Sequence, residues 1–264
     1  MDYKTALQAA IWSQDVYQNF SGIKFRDWVG DNPILIEEGA TDTQLAILEE
    51  PAQQLTTIVF RGSDSNADWG TNTNLGKDVY EWSKKEKEVY AHQMEEVTEM
   101  GADEKELVYP DRYAEASKPV KMHRGFMKAY LSVRDHIHTH VQNNNTTTYR
   151  LVGHSLGGAI ATLCAIDLQY NFSPKIDVEA YSFGSPRVGN REFTDSYNRR
   201  VPNTWRVVNG WDAVVGLPAP WQGYRHVETA IKLERKFTLR IIMGSFEDHR
   251  FDNYIKAFRS KIEG

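Results

Sequence analysis

The sequence predicts an α/β protein whose mostly parallel central sheet is covered by helices on both faces. Short apolar runs alternate along the chain with longer segments whose apolar residues recur at helical spacing. Such alternation is typical of parallel strands joined by helices. With 264 residues, of which 41% are hydrophobic, the chain is long enough to bury one large core. We therefore expect residues 1–264 to form a single domain.

The first part of the chain carries one predicted helix and two predicted strands. Tyr3 to Tyr17 has apolar residues at helical spacing, and we expect this helix to cover one edge of the sheet. Thr43 to Glu49 alternates weakly between apolar and polar residues. Leu55 to Phe60 is a β-branched run typical of a strand buried on both faces.

The second part alternates regularly between helices and strands. In order, the sequence predicts a helix over Met122 to Val141, a strand over Tyr149 to Val152, a helix over Gly157 to Tyr170, a strand over Val178 to Phe183, a helix over Arg191 to Asn198, a strand over Thr204 to Asn209, a strand near Phe237 to Ile242 and a helix over Arg250 to Ser260. Helices that return the chain between strands make those strands parallel.

Composition excludes several classes of protein. The 31 basic and 36 acidic residues give a formal net charge of −5, so the chain lacks the basic excess typical of nucleic-acid binding. The most apolar stretch, Leu151 to Leu168, is interrupted by polar residues, and no transmembrane span is expected. Met1 to Gln18 lacks the features of a secretory signal. We expect a cytoplasmic protein or one peripheral to an intracellular membrane; secretion would require a leader preceding this sequence.

A candidate nucleophile follows one of the predicted strands. Residues 153–157 read GHSLG, between an apolar strand and a helix that is apolar almost all round. In that context the G-x-S-x-G pattern predicts a sharp turn that exposes the Ser155 hydroxyl, with Gly153 and Gly157 preventing collisions. The alternative is that the glycines only allow the strand and the helix to pack closely.

A serine nucleophile needs a base to accept its proton, and only His226 and His249 follow Ser155 in the chain. His249 lies in a loop that precedes the last helix, whereas His226 lies at the start of a predicted strand. Loops at the carboxyl ends of strands are where sheet enzymes place their catalytic groups. We therefore favour His249 as the base and interpret His226 as a structural or pocket-wall residue.

The acid that orients this base should lie between the serine and the histidine. Asp212 directly follows a predicted strand, at the carboxyl end of the sheet. Asp177 lies at the start of a strand, and Asp195 lies on a helix face. Asp248 is too close in sequence to His249 to point easily at its ring. Asp212 is therefore the expected acid.

Two residues are candidates for the oxyanion hole. The backbone N–H of Leu156 directly follows the nucleophile. Ser63 follows the strand that ends at Phe60, so it can offer both its N–H and its hydroxyl. The alternative is that residues 61–62 make a turn and Ser63 caps a helix.

These residues resemble the class 3 lipases, the fungal lipase-like group of α/β-hydrolases, over about Ala46 to Tyr254. The resemblance rests on TIVFRGS at 57–63 with DW at 68–69, HRGF at 123–126, GHSLGGA at 153–159, SFGSPRVGN at 182–190, and the segments around Asp212 and His249. It implies an α/β-hydrolase fold, a triad of Ser155, Asp212 and His249, and an oxyanion hole of Ser63 and Leu156. Tyr224-x-His226 matches a segment that is not catalytic in the family.

The resemblance also implies an activity. The expected function is serine carboxylic-ester hydrolysis of acylglycerol lipids through an acyl-enzyme, at an interface or membrane surface, with no metal and no cofactor. One alternative is phospholipase A1 or galactolipase activity on membrane lipids. Another is a lipase-like protein that binds lipid or a protein partner with little turnover.

The chain departs from the family at residues 70–120. In relatives, the segment between the motifs that match FRGS and HRGF carries the lid helix, and it is shorter than the segment in this chain. Trp82 to Met100 has apolar residues at helical spacing, so we interpret this insertion as a candidate lid; a fixed helical extension or a dimer contact is the alternative. Lys77 to Glu106 contains five basic and ten acidic residues, which accounts for the whole net charge of the chain. We therefore expect a preference for neutral lipids.

Overall fold

The computed structural model describes residues 1–62, 120–212, 214–218, 220–233 and 248–263. The helices and strands are α1 (Tyr3–Asp15), β1 (Ile34–Glu38), β2 (Thr43–Glu50), β3 (Leu55–Phe60), α2 (Arg124–Asn143), β4 (Thr148–His154), α3 (Leu156–Phe172), β5 (Asp177–Phe183), β6 (Gly189–Asn190), α4 (Arg191–Arg200), β7 (Thr204–Val208), β8 (Tyr224–Arg225), β9 (Ala230–Lys232) and α5 (Phe251–Glu263). Within this described part of the chain, no helix is long and apolar enough to cross a membrane.

The central sheet has the strand order β1-β2-β3-β4-β5-β7-β9. Strands β3, β4, β5, β7 and β9 run parallel, whereas β1 and β2 add an antiparallel edge. The short strands β6 and β8 pair separately and antiparallel. The predicted α/β fold with a mostly parallel sheet is confirmed.

Helices cover both faces of this sheet, as the sequence predicts. One core contains Ile58 and Leu151 and lies under α2, α3 and α4. The other contains their chain neighbours Val59 and Val152 and lies under α1 and α5. Successive residues of a strand point to opposite faces, so a central strand that is covered on both faces is buried at every position. All six residues of β3 are buried, in agreement with the prediction for Leu55 to Phe60.

The structure corrects the predicted position of the first helix. α1 does not cover an edge of the sheet, because it contacts β3, β4 and β5 and packs along α5. Its inward side carries three buried small residues, Ala6, Ala9 and Ala10. Small side chains let a helix approach a sheet and a second helix closely, which explains a central position.

Two strands differ from the predictions. β1 (Ile34–Glu38) was not predicted, because its sequence ILIEE does not alternate between apolar and polar residues. β9 (Ala230–Lys232) pairs with β7 at the other edge of the sheet. The strand predicted near residues 237–242, the insertion at 70–119 with its candidate lid, and Ser63 all lie outside the described residues.

Candidate active site

Ser155 lies at a strained turn between β4 and α3. Its backbone has φ 55° and ψ −128°, a conformation that residues other than glycine rarely adopt. The turn is held in place because the Ser155 N–H donates to the carbonyl of Phe183 at the end of β5, over 2.9 Å. Ser155 therefore stands at the carboxyl edge of the sheet, directly before the N-terminus of α3.

Close packing around this turn explains the two glycines of the motif. A Cβ atom on Gly153 would lie 2.3 Å from the carbonyl of Gly157, and one on Gly157 would lie 2.3 Å from the carbonyl oxygen of Phe60. Both distances are far below van der Waals contact, so neither position accepts a side chain. The two glycines thus allow β4, α3 and the end of β3 to pack closely around Ser155, which itself has a strained backbone conformation.

Of the two candidates for the oxyanion hole, the structure describes Leu156. Leu156 is the first residue of α3, where backbone N–H groups have no partner within the helix. Gly62, the residue before Ser63, passes close to the turn, since a Cβ on it would lie 3.1 Å from the carbonyl oxygen of His154. Ser63 itself lies outside the described residues.

Asp212 and His249 form a buried pair, although 37 residues separate them in the chain. His249 Nδ1 lies 2.8 Å from Asp212 Oδ2, and the two side chains are 4% and 0% exposed. A carboxylate can only accept, so Nδ1 carries the proton and Nε2 is left as the accepting nitrogen. Among the described residues, buried Nε2 has no hydrogen-bond partner. The pair therefore has the arrangement that a general base requires.

From residues that the structure describes, the Asp212 carboxylate accepts three hydrogen bonds, of which the one from His249 is given above. The hydroxyl of Tyr254, on α5, donates to Oδ2 over 2.7 Å, and the N–H of Val214 donates to Oδ1 over 3.0 Å. Burial, followed by the charge of Asp212, raises the pKa of Tyr254 well above its usual value, so the hydroxyl keeps its proton and donates. The Asn209 N–H in turn donates to the Tyr254 oxygen. This network holds the carboxylate in place.

His154 contacts His249 from the other side. Its Nε2 lies 2.7 Å from the backbone carbonyl oxygen of His249, and the two rings are 4.2 Å apart. Burial, followed by the electrostatic effect of His249, lowers the pKa of His154 well below its usual value. Neutral His154 therefore donates one hydrogen bond that fixes the backbone of His249.

The residue after β5 must be a glycine, because Gly184 lies against the Asp212–His249 pair. Its φ is +58°, and a Cβ atom there would lie 2.6 Å from Asp212 Oδ2 and 2.8 Å from His249 Nδ1. A side chain at residue 184 would therefore occupy the space of the Asp212–His249 pair. This loop and the turn at Ser155 meet at the same edge of the sheet.

The alternative acids and base lie elsewhere. His226 Nε2 lies 2.8 Å from the carbonyl of Val215, and burial, with smaller effects of nearby arginines, lowers its pKa to about 3. Asp195 pairs with Arg191 on the surface. Asp248 accepts from the Trp211 N–H over 2.8 Å. Asp177 is exposed at the start of β5.

Two residues of the network were missed in the sequence. Tyr254 was read only as part of the apolar side of the last helix, and His154 only as a variable position of the motif. A buried tyrosine hydroxyl needs a partner, which is a signal that the sequence does carry. The partner itself follows only from the folded chain.

The chain has relatives among known proteins. The family described as lipase (class 3) matches residues 57–221. A secreted mono- and diacylglycerol lipase of Malassezia globosa is 37% identical over 112 residues, 40% of this chain and 36% of that protein. A secreted mono- and diacylglycerol lipase of Fusarium solani is 38% identical over 109 residues, 40% of this chain and 32% of that protein. The match thus spans about a third of the length of these relatives.

The fold also has counterparts among solved structures. A lipase from Rhizopus microsporus var. chinensis superposes with a TM-score of 0.62 and 21% identity, covering 94% of this chain and 85% of that one. The alignment extends well beyond the segment matched by sequence. Nearly the whole chain therefore follows the same fold.

Proposed function

Because this chain belongs to the class 3 lipase family, we propose that it is a serine carboxylic-ester hydrolase that acts on acylglycerol lipids. The observation that carries the proposal is the buried hydrogen bond between Asp212 and His249 at the sheet edge that also holds Ser155. The mono- and diacylglycerol lipases among its relatives support acylglycerols as the substrate class.

In the first half of the reaction, the Ser155 oxygen attacks the ester carbonyl carbon while its proton passes to His249 Nε2. Asp212 stabilises the imidazolium through Nδ1. The N–H of Leu156 and the N–H and hydroxyl of Ser63 bind the oxyanion that forms. The carbon–oxygen bond of the ester then breaks, and His249 gives its proton to the departing alcohol. An acyl group remains on Ser155.

In the second half, a water molecule attacks the acyl carbon and His249 takes a proton from it. The bond to Ser155 breaks, the serine oxygen regains the proton from His249, and the fatty acid leaves. Every proton therefore moves between Ser155, His249, the leaving alcohol and water.

The test combines a variant with a substrate panel. Replacing Ser155 with Ala should lower kcat by roughly 10⁵-fold or more and abolish labelling by a fluorophosphonate probe, since the nucleophile is lost. Fatty acid release is measured on diacylglycerol, triacylglycerol, phosphatidylcholine and monogalactosyl lipid side by side. Faster release from either of the last two would replace the acylglycerol assignment. Unlabelled parent protein without turnover would indicate a lipid-binding protein instead.

We extend the proposal to the organisation of the chain: residues 1–264 act as one domain and the insertion at 70–120 controls access to the site. The sequence pattern of the insertion supports this, although nearly all of it lies outside the described residues. Deleting residues 76–118 should change the ratio of hydrolysis rates on aggregated and soluble esters. An unchanged ratio would assign the insertion to a fixed extension or a dimer contact.

The site of action is proposed to be the cytoplasm or the periphery of an intracellular membrane. The two relatives compared above are, by contrast, named as secreted. Fractionation of the native cells, with detection of the chain in medium, cytosol and membranes, tests the proposal. Recovery mainly from the medium would overturn it.

A further inference from the structure

Two tryptophans are exposed on the loop that joins β7 to β8. Trp211 is 54% exposed and Trp221 is 88% exposed. In the described part of the chain, Trp12, by contrast, is buried in a core. Large apolar side chains on a surface are typical of sites that bind a partner or a membrane. Two within eleven residues form a local feature that folding alone does not require.

This loop is continuous with the candidate active site. Trp211 directly precedes Asp212, and its N–H is held by the carboxylate of Asp248, the residue before His249. Arg187 holds the middle of the loop through three hydrogen bonds. Its Nη1 donates to the carbonyl oxygens of Gly216 and Pro218, and its backbone N–H donates to the carbonyl oxygen of Leu217. Hydrogen bonds therefore hold the loop that carries both indoles.

A guanidinium group bonds to the backbone directly before the more exposed tryptophan. Arg225 is exposed, and its Nη1 donates to the carbonyl oxygens of Pro220 and Tyr224, each over 3.0 Å. Pro220, Trp221, Gln222 and Gly223 are all exposed, so this corner projects from the surface. Among the described residues, neither Arg225 nor Arg187 has a carboxylate oxygen within 4.0 Å. Within this part of the chain, the Arg225 guanidinium therefore has no carboxylate partner, and it bonds to the backbone that carries Trp221.

The same corner is connected to Met122, close to residue 120, where the described part of the chain resumes. Arg225 pairs with Gly189 in the small sheet, and Gly189 forms a bridge to Met122 on its other side. The corner therefore belongs to the same loop as Asp212 and is joined through Gly189 to the residues that directly precede α2.

We propose that Trp211, Trp221 and Arg225 form a docking surface for phospholipid headgroups of a bilayer, a role that deepens the proposed function and would align the site with the membrane. Indole rings favour the layer between headgroups and acyl chains, since one end of the ring is apolar and the other is wet. A guanidinium matches a phosphate with two parallel hydrogen bonds. Indole and guanidinium together fit a phospholipid surface better than an oil droplet, which offers no phosphate.

Vesicle binding without turnover tests this proposal. Binding to phosphatidylcholine vesicles is measured by co-sedimentation, with every substitution made in a full chain that carries Ser155→Ala, so that hydrolysis does not alter the vesicles. Adding Trp221→Ala should weaken the partition constant about tenfold, because one large apolar side chain no longer enters the bilayer. Adding Arg225→Gln should weaken it severalfold. Lipid brominated near the headgroups should quench less fluorescence after Trp221→Ala.

Val29 provides the matched control, since it is 97% exposed on the loop before β1, at the other end of the sheet. Adding Val29→Ser should leave the partition constant unchanged. Equal binding with Trp221→Ala and Val29→Ser would overturn the proposal, as would binding that disappears only when residues 76–118 are deleted. Turnover of a soluble short-chain ester by the parent enzyme is measured separately. Its absence would refute the hydrolase assignment and leave the docking result standing.

Discussion

Among single residues, Tyr254 gives the sharpest test of how Asp212 is held. Replacing Tyr254 with Phe removes one donor to Oδ2 and leaves those from His249 and Val214. Hydrogen bonds to a charged group contribute about 1.5–3 kcal/mol, so kcat on a soluble ester should fall about tenfold to a hundredfold. KM should stay unchanged, because Tyr254 does not contact substrate in the proposed mechanism.

Tyr197 is the control for this change. Its hydroxyl is equally buried and bonds Thr204 Oγ1 over 2.9 Å, within the opposite core. Tyr197→Phe should lower the free energy of unfolding by about 1 kcal/mol without lowering kcat. Equal losses of kcat in the two variants would mean that Tyr254 only stabilises the fold.

The sequence is informative about residues whose type determines their chemistry. Ser155 could be proposed because its motif follows a strand, and Asp212 because it follows another strand at the same sheet edge. Tyr254 and His154 could not, since their roles depend on contacts between residues 42 and 95 positions apart in the chain. A single sequence gives side-chain types but not the atoms that meet across such distances.

At the scale of elements, the loop after β5 can be tested through Gly184. In Gly184→Ala the added methyl group meets Asp212 Oδ2 and His249 Nδ1, so one of them must move. A displacement of about 1 Å at a catalytic group costs about a hundredfold in rate, and kcat should fall by at least that factor. Strain at positive φ should also lower the free energy of unfolding by about 1–2 kcal/mol.

Gly223 separates these two effects. Its φ is +89°, and a Cβ atom there has nothing within 4 Å. Gly223→Ala should therefore lose similar stability and keep its kcat, as measured by urea unfolding and by soluble-ester turnover. A matching loss of kcat in both variants would show that backbone strain, not the collision, affects catalysis.

Elements could be predicted where one pattern dominates. β3 is a buried run rich in β-branched residues, and most of α3 is buried and apolar on every side, so both the strand and the helix were expected. β1 escaped prediction because an edge strand buries little and its residues need not alternate. The central position of α1 depends on packing against α5, 235 or more residues later in the chain, which a local pattern does not contain.

For the whole molecule, three buried histidines make stability depend on pH. Burial lowers the pKa of His123 to about 4 and that of His226 to about 3, and it holds that of His154 well below 6.5. Between these values and about 6.5 the unfolded chain binds protons that the folded chain refuses, so stability must fall as pH falls. His123 and His226 should each cost about 1.4 kcal/mol between pH 7.5 and 5.5, and His154 should add to this loss in the same direction.

Urea unfolding at pH 7.5 and pH 5.5 measures this loss, and His123→Asn provides its internal check. His123 Nδ1 accepts from the Phe126 N–H as the N-cap of α2, and Asn can also cap a helix but does not titrate in this range. The variant should lose about a third less stability than the parent between the two pH values. Burial also raises the pKa of Asp15 and Glu50, so near the pKa values of these two carboxyl groups stability rises as pH falls. Measurements therefore stay above pH 5. A parent whose stability is equal at both pH values would show that these histidines accept protons in the folded chain.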